Sequence, residues 1–167
     1  EENDQEHSLQ VAMIAHALCV IRKTRYGLAV DEGMAIKLAV YHEASEVITG
    51  DLPTPIKYFN PGIKEAFKGI EAIASRKLFQ YIPEDLRESY RPLLFPNEES
   101  VEWKIVKAAD KISAYLKCLE ETALGNREFL SAQRDLEGDI EALNLPEARD
   151  FMGEFSPSFA LPLDALD

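Results

Sequence analysis

The sequence lacks long apolar runs and an excess of positive charge. No stretch of it approaches the ~20 consecutive apolar residues that a membrane-spanning helix requires. Only 18 lysines and arginines stand against 30 aspartates and glutamates, which gives a formal net charge of −12. Because phosphate backbones and anionic membranes attract clustered cations, this charge disfavours nucleic acids and membranes as partners. A small anionic substrate stays compatible with it where a metal ion or a few local cations offset the field.

Cysteine is also scarce, since Cys19 and Cys118 are the only two. They lie far apart in apolar helical patterns, and we predict buried free thiols rather than a disulfide. Disulfides are rare in the reducing cytosol, so this usage favours a cytoplasmic location. The acidic first four residues do not resemble a signal peptide. The chain also lacks an initiator Met, and we expect N-terminal residues of the full-length protein to precede it.

The 167 residues are enough for one domain, which we expect to span residues 1–167. Hydrophobic residues make up 46% of the chain, so it can bury a sizeable core. Nearly every long segment has helical periodicity, and no run alternates as a strand would. The sequence therefore predicts an all-α fold, a compact bundle of about six to seven helices.

Prolines, glycines and capping residues set the expected helix boundaries. Asp31 is a suitable N-cap, and Pro61 suits the first position of a helix. The segment 49–55 cannot be a helix interior, because Gly50 and two prolines interrupt it. We place the helices at about 5–22, 32–47, 61–81, 97–124 and 126–143, with short ones after Pro83 and Pro146.

The first candidate site residue is His7. It shares one face of the first helix with Val11, Ile14, Leu18 and Ile21, at offsets of four, seven, eleven and fourteen residues. These offsets stack on one side of an α-helix, so we predict that His7 points inward near the helix start. Spacing alone leaves two interpretations open, a core histidine bonded to a backbone carbonyl or a functional group of a site.

A second polar cluster follows in the next apolar segment. His42, Glu43 and Glu46 are spaced so that, on a continuous helix, all three side chains converge on one arc. Two carboxylates and an imidazole beside apolar residues need a partner, since unpaired buried charge is costly. A divalent cation would supply one, because it neutralises the acids and binds imidazole nitrogen. The alternative is a solvated helix edge with a Glu–His pair.

Asp110 gives no comparable signal by itself. The main apolar stripe of its helix includes Ile105 and Ile112, and Asp110 lies off that stripe. Periodicity alone therefore predicts an exposed acid that pairs with Lys107 or Lys111.

The order of these motifs resembles the HD-domain metal-dependent phosphohydrolases. Their ligand set is a His, then an adjacent His-Asp, then a distant Asp. The parallel residues in this chain are His7, the pair His42-Glu43, and Asp110.

Longer segments resemble one family of these enzymes, the YfbR-like 5′-deoxynucleotidases. The likeness lies in residues 6–12, 41–47, 49–59 and 114–121, within a resemblance that covers essentially the whole chain. Joined to the metal-ligand pattern, the sequence Gly-Asp-Leu-Pro-Thr-Pro at 50–55 makes the match highly specific. The resemblance implies hydrolysis of 5′-deoxyribonucleoside monophosphates with a divalent ion, Co²⁺ or Mn²⁺, by a homodimer.

The resemblance also implies a role for each site residue. Glu46 is the implied catalytic acid/base that acts on the attacking water, and burial among other acids is expected to raise its pKa, which suits a proton carrier. The implied metal ligands are His7, His42, Glu43 and Asp110. The implied substrate-binding residues are His7, Asp51, Leu52, Pro53, Thr54 and Asp110.

Two features depart from the family pattern. The family has Asp where this chain has Glu43, whose added methylene moves the carboxylate by ~1.5 Å. A displacement of about an ångström in a catalytic site can cost on the order of 10²-fold in rate. An Arg-Trp pair that precedes the first motif in the family, and favours deoxyribose, is absent from this sequence, and Trp103 does not replace it.

Alternatives of other classes follow from these departures. One is a non-catalytic or weakly active HD module that binds nucleotide or metal, because Glu43 replaces the usual Asp. Another is a helical dimerisation protein whose polar cluster is only structural. A phosphodiesterase or a ppGpp hydrolase is a weaker alternative, because those HD relatives carry additional motifs that this sequence lacks.

Overall fold

Helices dominate the part of the chain that the computed structural model describes, residues 3–50 and 61–161, and no strand occurs in these ranges. This confirms the all-α prediction. In chain order the helices are α1 Asp4–Tyr26, α2 Glu32–Tyr41, α3 Glu46–Thr49, α4 Pro61–Tyr81, α5 Arg87–Leu94, α6 Val101–Ala123, α7 Leu130–Ala142 and α8 Pro146–Glu154. All but the four-residue α3 have eight residues or more, and none of them is long and apolar enough to cross a bilayer.

Strong capping signals define α1, which is longer than the predicted 5–22. Asn3 Oδ1 accepts hydrogen bonds from the backbone N–H groups of Gln5 and Glu6, at 3.0 and 3.1 Å. The Glu6 carboxylate accepts in turn from the Asn3 N–H at 3.3 Å, which completes a capping box. At the other end Gly27 has a φ of 62°, a left-handed conformation that glycine adopts without strain.

The predicted continuous helix over 32–47 is wrong. It starts as expected, because Asp31 Oδ1 accepts a backbone hydrogen bond at 2.9 Å from the residue three positions on. However, α2 ends at Tyr41, and residues 42–45 form turns before α3 begins at Glu46. No proline or glycine lies at this break, and the spacing of apolar and polar residues continues across it as in a helix. The sequence pattern therefore did not indicate where α2 ends.

The helix predicted from residue 97 begins later, at Val101. Its cap is Ser100, whose Oγ accepts a hydrogen bond from the first-turn backbone at 3.2 Å. The C-terminal end agrees with the prediction, since α6 ends at Ala123 and Gly125 follows with a φ of 92°.

The chain divides into two compact units, whose described parts are residues 3–39 with 98–161 and residues 40–50 with 61–97. In the first unit α1 packs along α6, and α7 and α8 also contact α6. Burying one aliphatic side chain contributes roughly 1.5–3 kcal/mol, so this core is the main stabilising element of the unit. Its fully buried side chains include Val11, Leu18, Ile105, Val106, Ile112 and Leu116. The assignment of residues 1–167 to one domain stays a prediction.

Ion pairs join the C-terminal half of α1 to α8. Arg22 donates to Glu147 at 2.8 Å, and the Glu147 side chain is fully buried. One turn later Arg25 donates to Asp150 at 2.9 Å and to the two Glu154 oxygens at 2.5 and 2.8 Å. Because a buried carboxylate requires a charged or hydrogen-bonding partner, the Arg22–Glu147 pair fixes how α8 docks on α1.

In the second unit α4 packs against α3 and α5. Phe79 of α4 meets Phe95 edge to face with ring centroids 5.5 Å apart, and the Arg91 guanidinium lies 4.8 Å from the Phe79 centroid. Aromatic and cation–π contacts of this kind add to the burial energy. The unit also holds an open apolar cavity of about 460 Å³, whose lining includes Tyr41, Leu78, Leu86 and Tyr90.

Both cysteines are buried and free, as predicted. Burial raises the pKa of the Cys19 thiol to about 12, and the nearby Glu32 carboxylate adds to the shift. Burial also raises the pKa of Cys118. Since the thiolate is the reactive form, both side chains act as small apolar groups of the core.

Replacing Arg25 is expected to lower stability in a pH-dependent way. The Arg25 hydrogen bonds hold the pKa values of Asp150 and Glu154 below their ordinary ~3.9 and ~4.3. A carboxylate with a depressed folded-state pKa stabilises the protein above its unfolded pKa, and this contribution is lost as pH falls through the folded value. The melting temperatures of wild type and Arg25→Met should therefore differ fully above about pH 5 and converge at lower pH. Thermal unfolding across a pH series measures this, with Arg134→Met, a change at an exposed position of α7, as the control. A gap that stays constant at every pH would refute the ion-pair explanation.

Candidate metal centre

α1 and α6 bring the first pair of predicted ligands together. His7 lies in the first turn of α1, where its backbone N–H donates to Asn3 O at 3.0 Å, so the helix cap fixes its position. Its Nε2 lies 3.3 Å from Oδ1 of Asp110 on α6. The side chains are 17% and 27% exposed, so the pair is accessible yet mostly enclosed. His7 continues the buried face of Val11 and Leu18, as the spacing predicts.

The other nitrogen of His7 faces a polar pair. Ser113 Oγ lies 3.4 Å from His7 Nδ1 and donates to Gln10 Oε1 at 2.7 Å. Ser113 is 1% exposed, so water has almost no access to its hydroxyl. Sequence reasoning assigned neither residue to the site. The signal that could have found them is the three-residue offset, from His7 to Gln10 and from Asp110 to Ser113, which puts each beside a ligand on its helix.

Asp110 has more partners than the single lysine that periodicity predicts. Its Oδ2 accepts a hydrogen bond from Lys107 Nζ at 3.1 Å, one of the two partners expected from the sequence. The other candidate, Lys111, pairs with Asp139 instead. The expectation of a simple surface acid is therefore wrong, because Asp110 also faces His7 across the α1–α6 contact.

The second pair of predicted ligands lies in the turn after α2. His42 Nε2 and Glu43 Oε1 are 3.8 Å apart, with the His42 side chain buried and that of Glu43 one quarter exposed. Backbone hydrogen bonds between residues three positions apart hold the turn. For example, the Glu46 N–H donates to the Glu43 carbonyl oxygen at 2.9 Å. His42, Glu43 and Glu46 therefore do not lie on one continuous helix, contrary to the prediction. Glu46 opens α3 and is 7% exposed, a nearly buried carboxyl group.

The donor chemistry of these residues fits a divalent cation. Each unit presents one imidazole nitrogen and one carboxylate oxygen, the atom types that bind such ions. Mixed imidazole and carboxylate donors suit first-row transition metals. In each pair the carboxylate beside the imidazole also offers negative charge, which lowers the cost of holding a cation there.

The predicted nucleotide-contacting residues Asp51, Leu52, Pro53 and Thr54 lie outside the described residues. Gly50, immediately before them, has a φ of 69° and donates its N–H to Glu46 O at 2.8 Å. Glycine is suited to this position because the left-handed region is strained for other residues. Gly50 therefore ends α3, the short helix that opens with Glu46.

Comparison with known proteins places this geometry in context. A family model described as 5′-deoxynucleotidase YfbR-like matches residues 1–159. A 5′-deoxynucleotidase of Shewanella oneidensis is 48% identical over 167 residues, which cover 99% of this chain and 86% of that protein. The 5′-deoxynucleotidase YfbR of Escherichia coli is 52% identical over 166 residues, which cover 99% and 83% of the two chains.

A solved structure shows the same fold. An HD-domain phosphohydrolase from Listeria innocua superposes with a TM-score of 0.80 at 25% sequence identity. The superposition covers 93% of this chain and 75% of that one. A protein from Pyrococcus horikoshii superposes with a TM-score of 0.69 at 24% identity, which is evidence of a shared fold alone.

Proposed function

The chain belongs to the YfbR-like 5′-deoxynucleotidase family of HD-domain phosphohydrolases, and we propose that it hydrolyses nucleoside 5′-monophosphates to nucleoside and phosphate. It is a metal-dependent phosphomonoester hydrolase. The observation that carries this conclusion is the identity of 48% and 52% to two proteins named 5′-deoxynucleotidases, each over 99% of the chain. This likeness favours an enzyme over the non-catalytic HD module. Deoxyribonucleotides are the substrates that the relatives' names indicate.

We assign the metal-binding role to His7, His42, Glu43 and Asp110, with Mn²⁺ or Co²⁺ as the ion. The two imidazole–carboxylate pairs support this assignment, because each pair already holds its donor atoms close together. A bound divalent ion would lower the pKa of a water molecule toward neutrality and polarise the phosphate. His7 and Asp110 are also assigned a place beside the substrate phosphate.

Glu46 is the proposed proton carrier. Its side chain is nearly buried, and a positioned carboxyl group can carry a proton between an attacking water and a leaving group. In the forward reaction its carboxylate accepts a proton from the attacking water. It then returns a proton to the O5′ oxygen that leaves phosphorus, so that the nucleoside departs as a neutral alcohol.

Residues 51–54, which follow α3 in the sequence, supply the proposed nucleotide contacts. Asp51 can accept a hydrogen bond from a sugar hydroxyl, and Thr54 can donate one to the ligand. Leu52 and Pro53 offer apolar surface beside them. The resemblance to the family supports this part of the proposal.

A homodimer in the cytoplasm completes the proposal. The family resemblance supports the dimer, and the buried free thiols of Cys19 and Cys118 are compatible with a reducing compartment.

Asp110→Asn is expected to weaken metal binding by about tenfold or more, since an amide is a poorer ligand than a carboxylate and adds no negative charge. Metal content after dialysis, measured by inductively coupled plasma mass spectrometry, reports the loss. The matched control is Asp139→Asn, which removes an exposed carboxylate that contacts Lys111 instead. Equal metal occupancy in the Asp110→Asn variant and the wild type would show that the Asp110 assignment is wrong.

Glu46→Gln keeps the shape of the side chain and removes its ability to carry a proton. We expect kcat for phosphate release to fall by about 10²–10⁴-fold while metal content is retained. The assay uses a panel of nucleoside 5′-monophosphates with Mn²⁺ or Co²⁺, and Glu99→Gln on the exposed surface is the control. An unchanged kcat would overturn the role of Glu46. No phosphate from any substrate with the wild-type protein would overturn the proposed function itself.

Glu43→Asp restores the residue that the family carries. Shortening the side chain by one methylene is expected to raise kcat/KM by up to about 10²-fold, because ångström-scale placement governs catalytic rates. The comparison control is Glu98→Asp, the same change at an exposed position. If metal and nucleotide bind but neither form turns over substrate, the non-catalytic alternative is supported instead.

A further inference from the structure

The hydrogen bonds around His7 indicate which of its two ring nitrogens carries the proton. A serine hydroxyl has one proton and can donate it to one partner at a time. The Ser113 contact with Gln10 is 2.7 Å, while that with His7 Nδ1 is 3.4 Å. The Ser113 proton therefore belongs to the bond with Gln10, and its oxygen is left to accept from His7.

The short contact also defines which end of the Gln10 amide faces Ser113. Hydrogen bonds of the O–H···O type have a typical length of ~2.7–2.8 Å, whereas N–H···O bonds centre on ~2.9–3.0 Å. The 2.7 Å separation matches a hydroxyl donating to the amide oxygen. The direction of donation then runs from His7 Nδ1 to Ser113 and from Ser113 to Gln10.

Burial makes this direction consequential. Ser113 is 1% exposed, so water has almost no access to a lone pair or proton left without a partner there. On the other side of the ring, Asp110 Oδ1 lies 3.3 Å from Nε2, longer than the ~2.7–2.9 Å of a strong charge-assisted bond. Lys107 also draws charge from that carboxylate through a 3.1 Å contact. The two contacts of the ring are of similar length, so the short Ser113–Gln10 bond, which leaves the Ser113 oxygen to accept from Nδ1, decides between them.

We propose that Ser113 and Gln10 are positioning residues that hold His7 with its proton on Nδ1, so that the Nε2 lone pair is ready to bind a divalent cation. The inference rests on the proposed role of His7 as a ligand. Metal-binding histidines need a second partner that fixes tautomer and ring orientation. Here the partner is a buried serine backed by an amide, both three residues from a ligand on their own helices.

The direct test is the tautomer of His7 in the metal-free protein. Long-range ¹H–¹⁵N spectra distinguish Nδ1–H from Nε2–H, and with only three histidines in the chain each ring can be assigned by single substitution. The pH is kept well above ~6.5 so that ordinary histidines are neutral. We expect Nδ1–H for His7 in the wild type and Nε2–H in Ser113→Ala. Metal affinity should fall about 10–100-fold in that variant.

Gln10 variants test the direction of donation from His7 to Ser113 and from Ser113 to Gln10, which we call the relay. Gln10→Glu keeps an acceptor oxygen and cannot donate, so it should preserve the Nδ1–H tautomer and the metal affinity. Gln10→Leu removes the acceptor and should behave like Ser113→Ala. If Gln10 instead donates to Ser113, Gln10→Glu would disrupt the relay, and the proposal would be wrong.

Ser156→Ala controls for the loss of any buried hydroxyl. Ser156 is also buried, and its hydroxyl donates to the backbone oxygen of Met152 in α8. It lies far from His7 in the sequence. The variant should leave the His7 signals and metal affinity unchanged. An Nε2–H tautomer in the wild type, or an unaltered His7 spectrum in Ser113→Ala, overturns the inference. Because neither readout requires turnover, these results stand apart from any failure of the proposed hydrolase activity.

Discussion

The packing of α1 along α6 is the contact on which the His7–Asp110 pair depends. The two helices contact one another along their length, and the apolar faces that carry Val11 and Leu18 on α1 and Ile105 and Ile112 on α6 are fully buried. At the end of these faces His7 lies opposite Asp110. The position of the pair is thus a consequence of core packing, because interiors are dense enough to transmit small shifts.

Charge determines what this arrangement can bind. The chain carries a net charge of −12, which repels a phosphate monoester at a distance. The proposed ligand set adds two carboxylates, whose charge a divalent ion only cancels. Lys107 provides one local cation within 3.1 Å of Asp110, so the acidic field around this ligand is lower than the composition suggests.

Much of the fold was predictable from helix caps and apolar spacing, and so was the inward position of His7. Asp110 was not, for a physical reason. The stripe through Ile105 and Ile112 is buried as periodicity predicts, but Val106 and Ser113 are buried as well. α1, α7 and α8 all contact α6, so it is enclosed around more of its circumference than one stripe indicates. A side chain off the main stripe can then face another helix, and only the family resemblance identified Asp110.

The break after α2 could not be predicted from the sequence, and it places the Glu43 side chain on a turn instead of a helix. Helical periodicity assumes one continuous rod, and no residue between Tyr41 and Glu46 signals that the backbone leaves it. On a helix, the direction in which the extra methylene of Glu43 extends would be set by the helical backbone. In the observed turn the direction depends on local torsions, and the Glu43 carboxylate still lies 3.8 Å from His42 Nε2. The longer side chain therefore keeps its carboxylate beside the imidazole, so this departure from the family pattern does not remove the oxygen donor.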